Sequence, residues 1–481
     1  MEGILLLVVG AILLAALIGA FAASRSGVPL LIVFLGLGMV LGSEGPGGIP
    51  FDDPEVARAV GVVGLVAILF EGGLTTAWRG LQPVLLTASL LGTVGVAVTA
   101  VLTGLAGIAL FDLDTSTGLL LGAVVASTDA AAVFATLRFT TLRRRVARVL
   151  EAESGVNDPA AVALTVGLIG WIEGELGPAG FGFLLVSELG LGLVFGVILG
   201  LAASWAFGRM PDSMDPFVAV ASVATAALSY GLTDVLHGSG FLAVYVVGLF
   251  VGNTHTPFRH QIVSFHQGLA FVAQVGLFVA LGLLVFPSEL GPVVLPGLAL
   301  TLVLLFVARP VAVWVSTIRQ GFTVREQALI GWAGLRGAVP IVLATFAQSE
   351  AVEDSDTIFN VVFFVVLVSA LLQGTTLEPV ARRLGLVRPS APAWRPPIEV
   401  GAARGLERVE FSVNPGDVPD GKPVRELGLP RQAIVAVIVR DGDSLPPRGS
   451  TVVRAGDELY LLLRPELRDT VEQLFADWRS A

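Results

Sequence analysis

Cysteine is absent, which excludes disulfides, thiolate metal sites and cysteine nucleophiles. Lysine is almost absent: Lys422 is the only one, and it lies beyond the apolar part of the chain. Four scattered histidines leave little for a transition-metal site. Charge is scarce as well, 14% of residues against roughly 25% in a soluble domain. A formal net charge of -10 argues against a nucleic-acid partner. There is no glycine fingerprint for a dinucleotide, and no cofactor is expected.

What the chain has instead is apolar length. Of its 481 residues 54% are hydrophobic, and the mean hydropathy is +0.83. A bilayer crossing needs about 20 apolar residues. Thirteen such spans are read at 3–23, 28–44, 55–73, 83–110, 116–137, 147–172, 179–207, 215–236, 239–252, 262–285, 290–318, 325–348 and 356–376. Phe21-Ala22-Ala23 has the look of a signal-peptide cleavage region, but Met1-Glu2-Gly3 carries no positive charge, so the first run reads as a transmembrane helix.

Arginine placement sets an orientation. Alternate loops hold Arg25; Arg79; Arg138, Arg143, Arg144, Arg145 and Arg148; Arg209; Arg259; Arg319 and Arg325; and Arg382 and Arg383. The intervening loops hold neither lysine nor arginine. The expectation is a multi-pass protein of the cell (inner) membrane, with its N-terminus outside and its C-terminus cytoplasmic. Three regions are expected: a membrane domain at 1–384, a proline-rich linker at 385–404 and a small α/β domain at 405–477. In the last, ERVEFSV and AIVAVIVR read as strands and VRELGL as a short helix. TVVRAGDELYLLLR reads as a hairpin around Ala455-Gly456-Asp457, and LRDTVEQLFADW as an amphipathic helix.

Polar residues inside the spans point to function, because charge in hydrocarbon is costly. The sixth span opens with Glu151, Glu153, Ser154, Asn157 and Asp158 before Pro159, which suits either an ion site or a capped helix start. Ser127-Thr128-Asp129 interrupts the fifth span, and Gly334, Gly337 and Pro340 bracket Arg336 in the twelfth. Two interrupted spans in distant halves suggest broken helices, inverted repeats and a midplane site. The fold class is therefore an all-α polytopic membrane protein with two broken helices, plus the small α/β domain. Asp129 and Arg336 would offset opposite ends of the half-helices. Arg336 also needs a carboxylate, Glu153 first and Asp129 second. Ser154 and Asp158 share one helical face and could hold one ion. Glu71, in Phe70-Glu71-Gly72-Gly73, is either a further ligand or a solvated interfacial acid. Gln274, Arg309, Gln373 and Ser229/Tyr230 read equally as interhelical glue or as pathway.

Together these motifs resemble the NhaP-type monovalent cation:proton antiporters. The segments that carry the resemblance are Glu153-Ser154-x-x-Asn157-Asp158-Pro159, Ser127-Thr128-Asp129, Phe70-Glu71-Gly72-Gly73 and Gly331-Trp332-x-Gly334-x-Arg336-Gly337. The resemblance implies a thirteen-helix fold, a homodimer and elevator-like alternating access. It implies Asp158 as the cation- or proton-binding residue, with Ser154, Glu71 and Thr128 as further ligands of an alkali cation. Asn157 implies electroneutral exchange, while Asp129, Glu153 and Arg336 match the electrostatic core. Ala130 departs from the pattern, since many relatives have proline there. The tail at 405–477 resembles the RCK-C or TrkA-C type of potassium-transport regulatory domain, which implies a small regulatory ligand or nucleotide as a partner and favours K⁺ over Na⁺.

The expected function is exchange of K⁺ or Na⁺ for H⁺. A buried carboxylate can hold a proton or a hard cation but not both, and oxygen ligands suit the alkali ions. The alternative is a gated cation channel, which lacks a TVGYG-type filter here. An intramembrane hydrolase would need a base beside Ser154, and none is near in sequence, so no enzyme is expected.

Overall fold

The computed structural model describes residues 2–26, 29–137, 140–254, 256, 258–389, 407–440 and 443–479. They form two compact units, Met1–Ala391 and Pro392–Ala481. Most of the linker expected at 385–404 lies outside the described residues.

Among the described residues of the first unit, nine helices are long and apolar enough to cross a membrane, and four shorter apolar helices join them. In chain order they are α1 (Glu2–Ser26), α2 (Leu30–Leu41), α3 (Pro54–Thr75), α4 (Trp78–Phe111), α5a (Thr115–Val124) with α5b (Ala130–Thr136), α6 (Arg144–Ile172), α7 (Pro178–Gly208), α8 (Val218–Val235), α9 (Gly240–Gly252), α10 (Arg259–Leu283), α11 (Pro287–Thr317), α12a (Val324–Trp332) with α12b (Ala338–Ser349), and α13 (Ser355–Arg383). Spans five and twelve are the broken ones.

Features recur seven spans apart. The long helices α4 and α11 each contain a π-helical turn, Leu91–Gly95 and Leu304–Ala308. Spans five and twelve are each broken, and α6 and α13 are both 29 residues long with an internal proline, Pro159 and Pro379. A chain that has crossed seven more times runs in the opposite direction, so this recurrence is an inverted repeat. Helix entry follows local chemistry. Asp53 caps α3 ahead of Pro54, Asp114 caps α5a, and Thr323 with Glu326 forms a capping box on α12a.

The interior is occupied by the broken spans and their neighbours. The stretch Leu120–Ser127 and the whole of Ala338–Ala347 are buried, whereas α1 and α7 turn Leu6, Leu7, Phe183, Val186 and Trp205 outward. Such apolar outer faces suit lipid. Helices α3 and α9 approach at Gly73 and Gly248: a Cβ on Gly73 would come within 2.8 Å of the Leu249 amide nitrogen. After α5b, β1 (Thr140–Leu142) pairs antiparallel with β2 (Val387–Pro389), and the Arg143 N–H donates to the Leu386 carbonyl at 2.9 Å.

The second unit is a four-stranded sheet in the order β3-β6-β4-β5, from β3 (Glu407–Ser412), β4 (Ala433–Arg440), β5 (Asp443–Leu445) and β6 (Glu458–Leu463). Helix α14 (Arg468–Arg479) packs Phe475 and Trp478 onto Phe411 of β3, with ring centroids 4.7 and 5.0 Å away. Residues 424–426 make a single 3₁₀ turn where a short helix was expected. The expected hairpin around Ala455-Gly456-Asp457 does not form. Strand β6 lies between β3 and β4, so both its edges are taken. Residues 451–453 bond instead to 421–424, through Val424 N–H to Thr451 O and Val453 N–H to Lys422 O. The turn is held by Asp457, buried and paired bidentately with Arg440 at 2.8 Å.

Candidate functional site

The two broken spans cross at their breaks. The Asp129 N–H donates to the Leu335 carbonyl at 2.8 Å, joining the extended segment of span five to that of span twelve. Asp129 then caps α5b, accepting the Ala132 N–H at 3.0 Å. This break forms with Ala130 in place of proline, because an aspartate cap and a neighbouring strand-like segment satisfy the freed backbone groups.

Arg336 is fully buried, and its Nη1 donates to the carbonyls of Ala126 at 2.7 Å and Ser127 at 2.6 Å. The guanidinium therefore sits on carbonyls just beyond the C-terminal, negative end of half-helix α5a. Its expected ion pair with Glu153 is not formed. Glu153 is held bidentately by Arg309 of α11, at 2.6 and 2.9 Å, with both side chains buried. The reason is geometric: two parallel N–H donors match one carboxylate, and Arg309 leaves the helix directly after the π turn Leu304–Ala308. In the sequence Arg309 reads as glue or pathway, and Arg309-Pro310 inside an apolar span is its visible signal.

The glycines of the twelfth span make room for these partners. A Cβ at Gly334 would lie 2.6 Å from Arg309 Nε, and one at Gly337 would lie 2.6 Å from Asp129 Cβ. Gly334-x-Arg336-Gly337 is thus a backbone that two charged side chains from other spans press against.

Helix α6 supplies the remaining groups. Asn157 Nδ2 donates to the Thr128 carbonyl at 3.1 Å and to Thr128 Oγ1 at 2.6 Å, and Ser154 Oγ lies 3.4 Å from the same carbonyl. Asp158, one residue on, is 8% exposed and has the Ser127 hydroxyl as a hydrogen-bond partner. The structure thus brings together Thr128, Asp129, Glu153, Ser154, Asn157, Asp158 and Arg336. Glu71 is half-buried on α3, and among the described residues no hydrogen bond or ion pair joins it to this cluster.

The charges do not cancel evenly. Arg309 is committed to Glu153, Arg336 to two backbone carbonyls, and Asp129 to a helix N-terminus. Among the described residues Asp158 has no cationic partner. A buried charge without one costs several kcal/mol. Asp158 therefore needs either a proton or a cation.

Residues 12–383 match the Sodium/hydrogen exchanger, transmembrane family, and residues 408–476 the TrkA-C domain. The chain is 38% identical over 462 residues to the K(+)/H(+) antiporter NhaP2 of Shewanella baltica (strain OS223), covering 94% of this chain and 80% of that one. It is 40% identical over 473 residues to the K(+)/H(+) antiporter NhaP of Alkalimonas amylolytica, covering 95% and 81%. Its structure is similar to the sodium proton antiporter MjNhaP1 from Methanocaldococcus jannaschii, with a TM-score of 0.66, 26% identity, and coverage of 78% of this chain and all of that one. The fold, the crossing of the two breaks and these matches together establish that the chain belongs to the transmembrane sodium/hydrogen exchanger family, with a TrkA-C domain following the membrane unit.

Proposed function

We propose that this protein is a secondary active antiporter that exchanges K⁺ for H⁺ at a single shared carboxylate, Asp158. The observation that carries this reading is the charge count at the crossing: among the described residues, the carboxyls of Asp129, Glu153 and Asp158 stand against only two cations, Arg309 and Arg336, and Asp158 has neither an arginine nor a helix N-terminus to offset it. A proton or an alkali cation satisfies it equally, and each excludes the other. Alternating exposure of such a site couples the two ions as exchange. Thr128, Ser154 and Asp158 supply hydroxyl, carbonyl and carboxylate oxygens for a hard cation. Asn157 is a neutral amide occupied with Thr128, so one proton trades for one monovalent charge and exchange is electroneutral. Glu71 is assigned to the approach to the site, as a half-buried acid one residue after Phe70, whose carbonyl packs against Gly248.

Potassium is favoured by the two relatives named as K⁺/H⁺ antiporters. Arginine alternation supports an outside N-terminus and a cytoplasmic tail. The resemblance supports a homodimer, a membrane domain ending near 384, and a regulatory domain at 405–477 that takes a small ligand.

The test is dequenching of a pH dye in reconstituted vesicles on addition of K⁺, Na⁺ or Li⁺. Wild type should respond best to K⁺, without dependence on an imposed potential, and Asp158→Asn should give no response. Exchange at the wild-type rate by Asp158→Asn would sink this mechanism.

A further inference from the structure

Helix α13 carries three polar residues along one face, the buried Ser369 and Gln373 and the half-buried Thr376, and they hold both sides of the break in span twelve. The Arg336 N–H donates to Ser369 Oγ at 3.2 Å. Ser369 Oγ donates to Gln373 Oε1 at 2.5 Å, and Gln373 Nε2 donates to the Trp332 carbonyl at 2.7 Å. The indole Nε1 of Trp332 donates to Thr376 Oγ1 at 3.1 Å. Ser369 and Gln373 are 0% and 1% exposed, so water does not compete for these bonds.

The chain of donors runs in one direction, and its ends fix the direction. A backbone N–H starts it and a backbone carbonyl ends it, so the serine hydroxyl and the glutamine amide each have one possible orientation. Its two ends are the groups that breaking a helix orphans: the carbonyl of Trp332, where α12a stops, and the amide of Arg336, just before α12b starts. Without Gln373 and Ser369 both would be buried and unpaired.

We propose that Gln373 and Ser369 are positioning residues for ion exchange. They fix the backbone at Arg336 so that its guanidinium reaches the Ala126 and Ser127 carbonyls, and through these they set the geometry of Ser127 and Thr128 beside Asp158. Neither residue touches the ion. The inference rests on the crossing being the transport site.

The variants are Gln373→Met, which is near in size and makes neither bond; Gln373→Glu, which keeps the acceptor for Ser369 and loses the donor to Trp332; and Ser369→Ala. Each is purified as the full chain, reconstituted, and compared with wild type and Asp158→Asn for apparent KM for K⁺, maximal rate and pH profile. Gln373→Met should raise the apparent KM or lower the maximal rate about tenfold and displace the pH profile, as expected for a buried polar group left unpaired. Gln373→Glu should fall between it and wild type, and Ser369→Ala combined with Gln373→Met should be no worse than the worse single change. Wild-type KM and pH profile in folded Gln373→Met, or additive effects in the double variant, would overturn the proposal. So would failure of all three single variants to fold, since positioning requires an assembled but mistuned protein. If Asp158→Asn itself exchanges normally, it is the site reading that fails, not the role of Gln373 and Ser369.

Discussion

Arg309, not Arg336, neutralises Glu153, and this pairing can be measured. Both side chains are buried and the contact is bidentate, at 2.6 and 2.9 Å. Removing one partner of such a pair leaves an uncompensated buried charge, which costs about 3–5 kcal/mol. Removing both leaves none. Glu153→Gln and Arg309→Met should therefore each lower stability by roughly that amount, and the double variant should lose no more than the worse single one. The coupling energy should reach about 3 kcal/mol, well above the ~0.5 kcal/mol scatter expected of independent sites. A cycle of Glu153→Gln with Arg336→Met should show far less coupling, because Arg336 is bonded to backbone carbonyls. The assay is denaturation of the detergent-purified full chain, followed by loss of the monodisperse peak on gel filtration. Additive effects of Glu153→Gln and Arg309→Met would refute the pairing, and a large coupling with Arg336 would reinstate the partner that the spacing alone suggests.

Gly337→Ala should destabilise the chain by about 1–3 kcal/mol and abolish exchange, because its methyl would displace Asp129 from the α5b cap; wild-type melting and transport would contradict this. Ending the chain after residue 389 keeps β2 paired with β1, whereas ending it after 386 strips the partner from Thr140–Leu142. The first truncation should retain exchange and lose its regulation, while the second should also lose thermal stability in the melting assay; equal behaviour would remove any role for this pairing. In the C-terminal unit, burial together with the Glu410 and Glu458 carboxylates pushes the Tyr460 hydroxyl up to about 12. The protonated form is the favoured one, so its contribution to stability is complete below the ordinary tyrosine value near 10 and fades as pH rises from there through about 12. The difference in tyrosinate absorbance between wild type and Tyr460→Phe, which isolates this one of the chain's three tyrosines, should titrate late; an ordinary value in that difference would exclude this environment.

The membrane architecture was legible in the sequence because bilayer thickness is its only requirement: an apolar run of sufficient length makes a span whatever it packs against. The breaks were legible for a similar reason, since Ser127-Thr128-Asp129 and Gly334-x-Arg336-Gly337 cannot continue a lipid-facing helix. Spacing along one helix sets Ser154 and Asp158 on a shared face, whereas the choice of Asp158 as the ion-binding residue and the role of Asn157 rest on the family resemblance. The pairing of charges was not legible, because it depends on how neighbouring helices are rotated and on the π turn that delivers Arg309, neither of which is a local property. The hairpin expected at 451–463 failed on the same ground. Its two halves have strand-like composition, but β6 had both edges taken by strands distant in sequence. Local composition thus determined what each segment is and how deep its polar groups lie. Only the tertiary structure decided which of those groups meet, and so that two arginines are shared among three carboxyls at the crossing.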